Sequence, residues 1–219
     1  MNKDSHIISI LTPYITDARK KRIESVIAAR IKTVQLAIES PSDINNALAT
    51  VRTAEALGLS DVHIIAPKQS AGTAHAITQG AFYWVNIHFH EQLSDFLHKI
   101  QSDDFKLAGG CLHENRSIPV EEISLHHPIC LMMGNEQTGL SSEAIRACDY
   151  LFHIPMVGMS ESLNLSVSSA ISLYITLNRK RAHLNHSSDF TPAEQQSLRA
   201  HFYLNSVSSR LARGLLGSI

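Results

Sequence analysis

Short apolar, β-rich runs alternate with capped, helix-length segments along most of the chain, and this alternation constrains the fold more than any other feature. Val34–Ile38, Val62–Ala66, Val85–Phe89, Leu107–Leu112, Ile129–Met133 and Tyr150–Ile154 read as strands. Between them lie helical segments. One is capped by Ser42 or Asp43 and stopped by Gly58 after Leu57. A Gly/Ala-rich helix is expected over Ala71 to Gly80, another over 91–102, and a third beginning near Ser141. A long one opens after Ser162, with Ser162 as cap, and runs to about Ala182. Strand–helix alternation of this kind builds a mostly parallel sheet with helices on both faces, an α/β fold.

The flanks differ. Residues 5 to 32 read as helical, broken near Pro13, with Arg19, Lys20, Lys21 and Arg22 between two partial apolar stripes. Asn185 to Asp189 reads as a polar linker. After it, Thr191-Pro192-Ala193-Glu194 starts a last helix with Thr as cap and Pro at the first helical position. The expected organisation is therefore a helical basic extension (1–32), a catalytic α/β domain (33–182) and a helical C-terminal extension (183–219). The net charge of −1 hides a split. Residues 1–32 carry seven Lys/Arg against three Asp/Glu, and residues 179–219 carry six against two. The middle carries six against fifteen. Basic ends on an acidic centre suit phosphate-gripping extensions around a catalytic domain, although single clusters are often only solvated helix faces.

Composition excludes several classes. At 44% hydrophobic residues, no apolar run reaches the length of a membrane span, and a cytoplasmic protein without membrane attachment is expected. Cys111, Cys130 and Cys148 form no Cys-x-x-Cys pair and read as small hydrophobes. His88 and His90 share one strand face, but no third ligand has suitable spacing, so no metal is expected. The Gly-x-Gly-x-x-Gly fingerprint is absent.

The candidate chemistry lies where strands end and helices begin. Ile154-Pro155-Met156-Val157-Gly158-Met159-Ser160-Glu161-Ser162-Leu163-Asn164 joins the last strand to the longest helix, and open α/β folds bind ligands at such junctions. Asn46 is either a cap or, with a neighbour capping, free to touch substrate. Arg52 is one of only three Lys/Arg between residues 33 and 99, which marks it out from a surface arginine. Glu136 follows a strand and can either satisfy its own turn or orient Arg52. Asn164 is poor inside a helix, which favours a functional role. Ile154 and Leu163 read equally as core packing.

Three segments in order carry a family resemblance. Asn46 to Gly58, with Asn six residues before Arg52, is similar to the first motif of the SpoU-type RNA ribose 2′-O-methyltransferases of the SPOUT superfamily. Gly134-Asn135-Glu136-Gln137-Thr138-Gly139-Leu140 resembles the second motif. Pro155-Met156-Val157-Gly158 with Ser162-Leu163-Asn164 resembles the third. The resemblance implies a trefoil knot over about 129–182 and S-adenosylmethionine as methyl donor, without a metal. It places the donor against Cys111, Gly134, Ile154 and Leu163. It assigns catalytic roles to Arg52, Asn46, Glu136, Ser162 and Asn164, RNA contact to Arg19, Lys20, Lys21 and Arg22, and a homodimer as the working form. The implied substrate is a tRNA ribose, that of guanosine 18 in the D-loop. Ribosomal RNA, another tRNA position, or a non-catalytic knotted RNA-binding module are the alternatives. Two positions depart from the family pattern: Cys111 stands where many members have Thr, and Leu48 where a small residue is usual. The resemblance gives Arg52 the role of base, but a guanidinium keeps its proton to above pH ~12. Gripping a phosphate and stabilising the developing 2′-oxyanion, with a phosphate oxygen or water taking the proton, is chemically easier.

Overall fold

The computed structural model describes residues 2–66, 80–112 and 114–217. The chain forms two compact units, residues 32–186 and a smaller one made of 1–31 with 187–219.

The smaller unit holds α1 (Lys3–Leu11), α2 (Asp17–Ile27) and, from the far end of the chain, α7 (Pro192–Leu204) and α8 (Ser209–Leu216). Thr191 and Glu194 form the expected capping box, each side chain bonding the other's backbone N–H, with Pro192 at the first helical position. Ile23, Ile27, Ala200 and Phe202 are buried. The wholly buried Arg30 lays its guanidinium 5.4 Å from the Phe202 ring centroid. Arg199 grips Glu24 through two bonds, at 2.5 and 2.6 Å.

The larger unit contains β1 (Val34–Glu39), α3 (Ile44–Leu57), β2 (Asp61–Ile65), β3 (Asn86–His90), α4 (Leu93–Ser102) and β4 (Lys106–Gly110). It continues with β5 (Ser117–Pro119), β6 (Ile129–Met133), α5 (Ser142–Ala147), β7 (Tyr150–His153) and α6 (Leu165–Leu184). Among the described residues the sheet has seven strands in the order β3-β2-β1-β6-β4-β7-β5. Every pairing is parallel. The expected strands all form. β5 was not foreseen: it is three residues long, ends in Pro119 and sits on the sheet edge, where a missing N–H is tolerated. The expected helix over 71–80 lies, Gly80 apart, outside the described residues.

Both faces of the sheet are covered. Ala37, Leu107, Cys130, Met132 and Leu151 pack with Phe96 and Ile100 of α4 and Ala144 of α5. On the other face α6 packs against α3, β1 and β6. Gly58, with φ 94°, ends α3 in the left-handed conformation that glycine tolerates. Leu48, which stands where the family usually has a small residue, is wholly buried, so its bulk fills the core.

His88 and His90 gain a third imidazole that spacing along one strand could not show. His63, on the adjacent β2, stacks on both rings and bonds His90 at 3.0 Å and Gln35 at 3.0 Å, while His88 bonds Asp61 at 2.8 Å. Burial above all, and then the two neighbouring imidazoles, pushes His63 down to about 3. Among the described residues no group of three His, Cys, Asp or Glu side chains is arranged to hold a metal ion.

Candidate active site

Loops leaving the C-terminal ends of β4, β6 and β7 enclose a cavity of about 400 Å³. Gly110 to Leu112 line it from the first loop and Gly134 to Leu140 from the second. His153, Ile154, Met156 and Glu161 to Leu163 line it from the third. The second loop doubles back on itself. Asn135 and Gly139 exchange backbone hydrogen bonds of 3.0 and 2.9 Å, and Asn135 Oδ1 accepts from the N–H groups of Gln137 and Thr138. A Cβ on Gly134 would lie 2.2 Å from the carbonyl carbon of Gly139 and 2.3 Å from the Leu140 nitrogen. Only glycine permits this cradle.

Ile154 is half-buried and Leu163 is 36% exposed, and both form cavity wall, so neither is plain core packing. Cys111 is a half-buried wall residue too, unlike the buried Cys130 and Cys148. Its N–H donates to Phe152 O at 2.8 Å. Its carbonyl accepts from Ser117 Oγ at 2.8 Å. Ser117 has one hydroxyl proton and spends it there. The 3.0 Å contact to His153 is therefore a bond donated by His153 Nδ1–H, which leaves Nε2 as the ring's other site. Ser117 and His153 had no sequence signal, one on the unforeseen edge strand and the other inside an apolar run.

Asn46 and Glu136 meet, ninety residues apart in sequence. Asn46 Nδ2 donates to Glu136 Oε1 at 3.1 Å, and Ser42 donates to Oε2 from its N–H at 2.8 Å and its hydroxyl at 2.5 Å. Desolvation raises the Glu136 pKa, but the bonds from Ser42 and Asn46 outweigh it and hold the carboxyl at about 2. Asp43 caps α3 by accepting from Asn45 N–H, so neither Asn45 nor Asn46 is the cap. Glu136 borders the cavity, whereas Asn46 and Arg52 do not line it. Arg52 is exposed on α3 in line with Asn45, Ala49 and Ala56, and its side chain forms no hydrogen bond or ion pair with a described residue. The structure does not join it to Glu136 within one chain.

The start of α6 corrects the sequence reading. Asn164, not Ser162, is the N-cap, its Oδ1 accepting from Ser166 N–H at 2.9 Å and Ser166 Oγ at 2.7 Å. It never has to tolerate a helix interior. Ser162 is exposed just before it, on the cavity wall. Along α6 an apolar stripe faces outward, with Val167 44% and Tyr174 60% exposed.

The basic residues also sort themselves. Lys20 pairs with Asp17 at 3.1 Å and Arg19 bonds Ser206 Oγ at 3.3 Å, while Lys21 and Arg22 are exposed. Arg179, Lys180 and Arg181, which the sequence grouped with the basic C-terminal end, bond the carbonyls of Ile123, Leu125 and Leu57 inside the larger unit.

A family model, described as SpoU rRNA Methylase family, matches residues 33–174. The chain belongs to the SpoU methylase family. A curated relative in Borreliella burgdorferi, named tRNA (guanosine(18)-2′-O)-methyltransferase, is 34% identical over 204 residues, 92% of each chain. An Aquifex aeolicus TrmH/SpoU tRNA modifying enzyme superposes with a TM-score of 0.75 at 25% identity, covering 87% of this chain and 99% of that one. A Sinorhizobium meliloti rRNA methyltransferase solved with AdoMet gives 0.59 at 28% identity, covering 69% and 56%. Among the described residues of this SpoU member, no helix is long and apolar enough to cross a membrane.

Proposed function

We propose that this SpoU-family protein methylates the ribose 2′-hydroxyl of guanosine 18 in tRNA, with S-adenosylmethionine as donor, in the cytoplasm. The observation that carries the reading is the near full-length likeness to a relative named for that activity. The cavity suits the donor: it has a tight glycine cradle and apolar walls from Ile154 and Leu163. Bound there, the donor supplies a methyl group already activated on a sulfonium, so the chemistry asks for no metal.

The chain's own residues bind and orient. Gly134, Cys111, Ile154 and Leu163 hold the donor. Glu136, kept ionised, and Asn46 fix the ribose, with Ser162 at the cavity wall. Asn164 acts by setting the start of α6 and hence the loop before it. Arg52 stabilises the 2′-oxyanion while a phosphate oxygen or water removes the proton. Arg52 does not line the cavity of its own chain, and an apolar stripe of α6 is uncovered. A homodimer answers both, with Arg52 of one copy serving the cavity of the other. The helical ends grip tRNA phosphates, chiefly through Lys21 and Arg22, and residues 33–182 act as the catalytic domain. The chain returns to insert β6 between β1 and β4 and then β7 between β4 and β5, and this re-entry favours a trefoil knot over 129–182.

The test is direct. Purified protein, S-adenosylmethionine and an unmodified tRNA transcript are incubated, and ribose methylation is mapped by mass spectrometry. Methylation at guanosine 18 supports the reading. Methylation confined to another tRNA position, none on tRNA with donor bound, or, in a parallel incubation, methylation of unmodified ribosomal RNA alone, overturns it.

A further inference from the structure

One buried acid has no part in the proposed chemistry. Glu39, the last residue of β1, is 6% exposed, and no Lys or Arg pairs with it among the described residues. Its Oε1 accepts from Ser141 Oγ at 2.6 Å and its Oε2 from Ser141 N–H at 2.8 Å. A buried carboxylate without a cation is expensive, and both of its oxygens are committed to one residue. Ser141 closes the cavity loop that begins at Gly134, and its hydroxyl also accepts from Ala144 N–H at 3.1 Å, capping α5.

The segment that starts at Glu39 and the loop that ends at Ser141 bind each other reciprocally. From the first segment, Glu39 holds Ser141. From the second, Asn135 Nδ2 donates to Ser40 O at 2.7 Å, and Glu136 holds Ser42 and Asn46. Ser40 adopts φ 46°, a left-handed conformation that a non-glycine residue takes only where its surroundings enforce it. Three crossing points, two of them carboxylates, thus tie the donor cradle to the start of α3, which carries Asn46 and Arg52.

We propose that Glu39 is a positioning residue: its clasp on Ser141 fixes the cradle relative to α3, so that donor binding and tRNA binding are energetically coupled through it. This rests on the donor reading of the cavity. The test compares Glu39→Leu, which removes both acceptors at similar volume, with Glu39→Gln. The glutamine amide can still accept from Ser141 N–H and donate to its hydroxyl. Donor affinity is measured by calorimetry. The tRNA affinity is measured with and without S-adenosylhomocysteine, and amide hydrogen exchange is followed over 134–141.

Glu39→Leu should bind donor at least about tenfold more weakly, since hydrogen bonds to a charged group are each worth about that factor. It should bind tRNA alone as the unaltered protein does, lose the effect of S-adenosylhomocysteine on tRNA affinity, and exchange faster over 134–141. Glu39→Gln should retain most of the coupling. A purely structural acid would lower stability without touching the coupling. Unchanged donor affinity and coupling in folded Glu39→Leu, or no coupling in the unaltered protein, overturns the proposal. Where Glu39→Leu does not fold, Ser141→Ala, which deletes one of the two bonds together with the cap of α5, is read by the same criteria beside Ala144 exchange, which reports the lost cap. If the unaltered protein binds no donor, the donor reading fails separately. Exchange over 134–141 then decides the clasp: acceleration upholds it and an unchanged rate overturns it.

Discussion

Replacing Gly134 with alanine tests the cradle most sharply, because the three nearest atoms the new Cβ would meet all belong to the backbone. The closest are 2.2, 2.3 and 2.5 Å away, in Gly139 and Leu140, and no rotamer change relieves them. The loop must open. That sacrifices the paired bonds between Asn135 and Gly139, about 1 kcal/mol each, on top of about 1–3 kcal/mol of overpacking, for roughly 3–5 kcal/mol. Gln137, Thr138 and Gly139 are exposed, so the loop yields locally while the sheet beneath holds. Donor affinity should therefore fall by about 100-fold or more, at about 1.4 kcal/mol per factor of ten, and the melting temperature should fall by about 2–4 °C for each kcal/mol that the open loop costs the folded chain. Two other glycines give the scale. Gly139 has φ 70° but open space around a Cβ, so Gly139→Ala carries only the left-handed penalty of about 1–2 kcal/mol. Gly158 has open space and no such φ, and Gly158→Ala should bind within about twofold of the unaltered protein. Calorimetry with S-adenosylmethionine, paired with thermal unfolding, ranks the three. If Gly134→Ala binds donor as well as Gly158→Ala, or melts so early that unfolding explains its loss, the cradle argument is wrong.

Other outcomes follow from the same geometry. Arg52→Ala should lower turnover by about 100-fold or more with donor affinity within about twofold, as for loss of an oxyanion-stabilising donor. Mixing Arg52→Ala with Gly134→Ala subunits should restore up to about a quarter of the activity if each cavity uses its partner's arginine; no restoration on re-assembly refutes that sharing. Neutralising Lys21 and Arg22 should weaken tRNA binding and lower its log–log salt slope by about one for each phosphate no longer gripped, whereas neutralising Arg19 and Lys20 should change the slope less. Equal slopes refute that division. His63, held at about 3 in the folded chain, is protonated more readily when unfolded, where a histidine titrates near 6.5. Stability should then be full above pH ~6.5 and fall by up to ~1.4 kcal/mol per pH unit toward pH ~3, and His63→Leu should flatten that fall in urea titrations at pH 4, 5 and 6.

The parallel sheet and its helices were legible in the sequence because each strand is a short apolar run and each break carries its own chemistry. Gly58 ends α3 and Thr191 to Glu194 start α7 where the residues say so. β5 was not legible, since three residues at a sheet edge need no apolar pattern. The histidine cluster escaped for a related reason: its third ring comes from β2, and strand order is a long-range fact.

The site shows the same division between local and distant information. Motif positions identified Asn46 and Glu136, and the fold brings them within a hydrogen bond. Their distance apart in the chain hid Ser42 and Ser141, which complete the reciprocal clasp and look like ordinary turn residues. The misreading of the helix cap was local. Ser162 and Asn164 are both good caps, and the choice falls to Asn164 because its side-chain carbonyl meets the Ser166 N–H and hydroxyl together. That choice leaves Ser162 and Leu163 outside the helix, on the cavity wall, and gives Asn164 a capping role beside the substrate contact expected of it. Asn164→Asp, which keeps the cap, and Asn164→Ala, which loses it, separate the two roles. If Asn164 acts through the loop, Asp should keep donor affinity within about threefold while Ala loses about tenfold, the value of one N-cap. Equal losses in both would instead mean that the amide itself touches the substrate or donor.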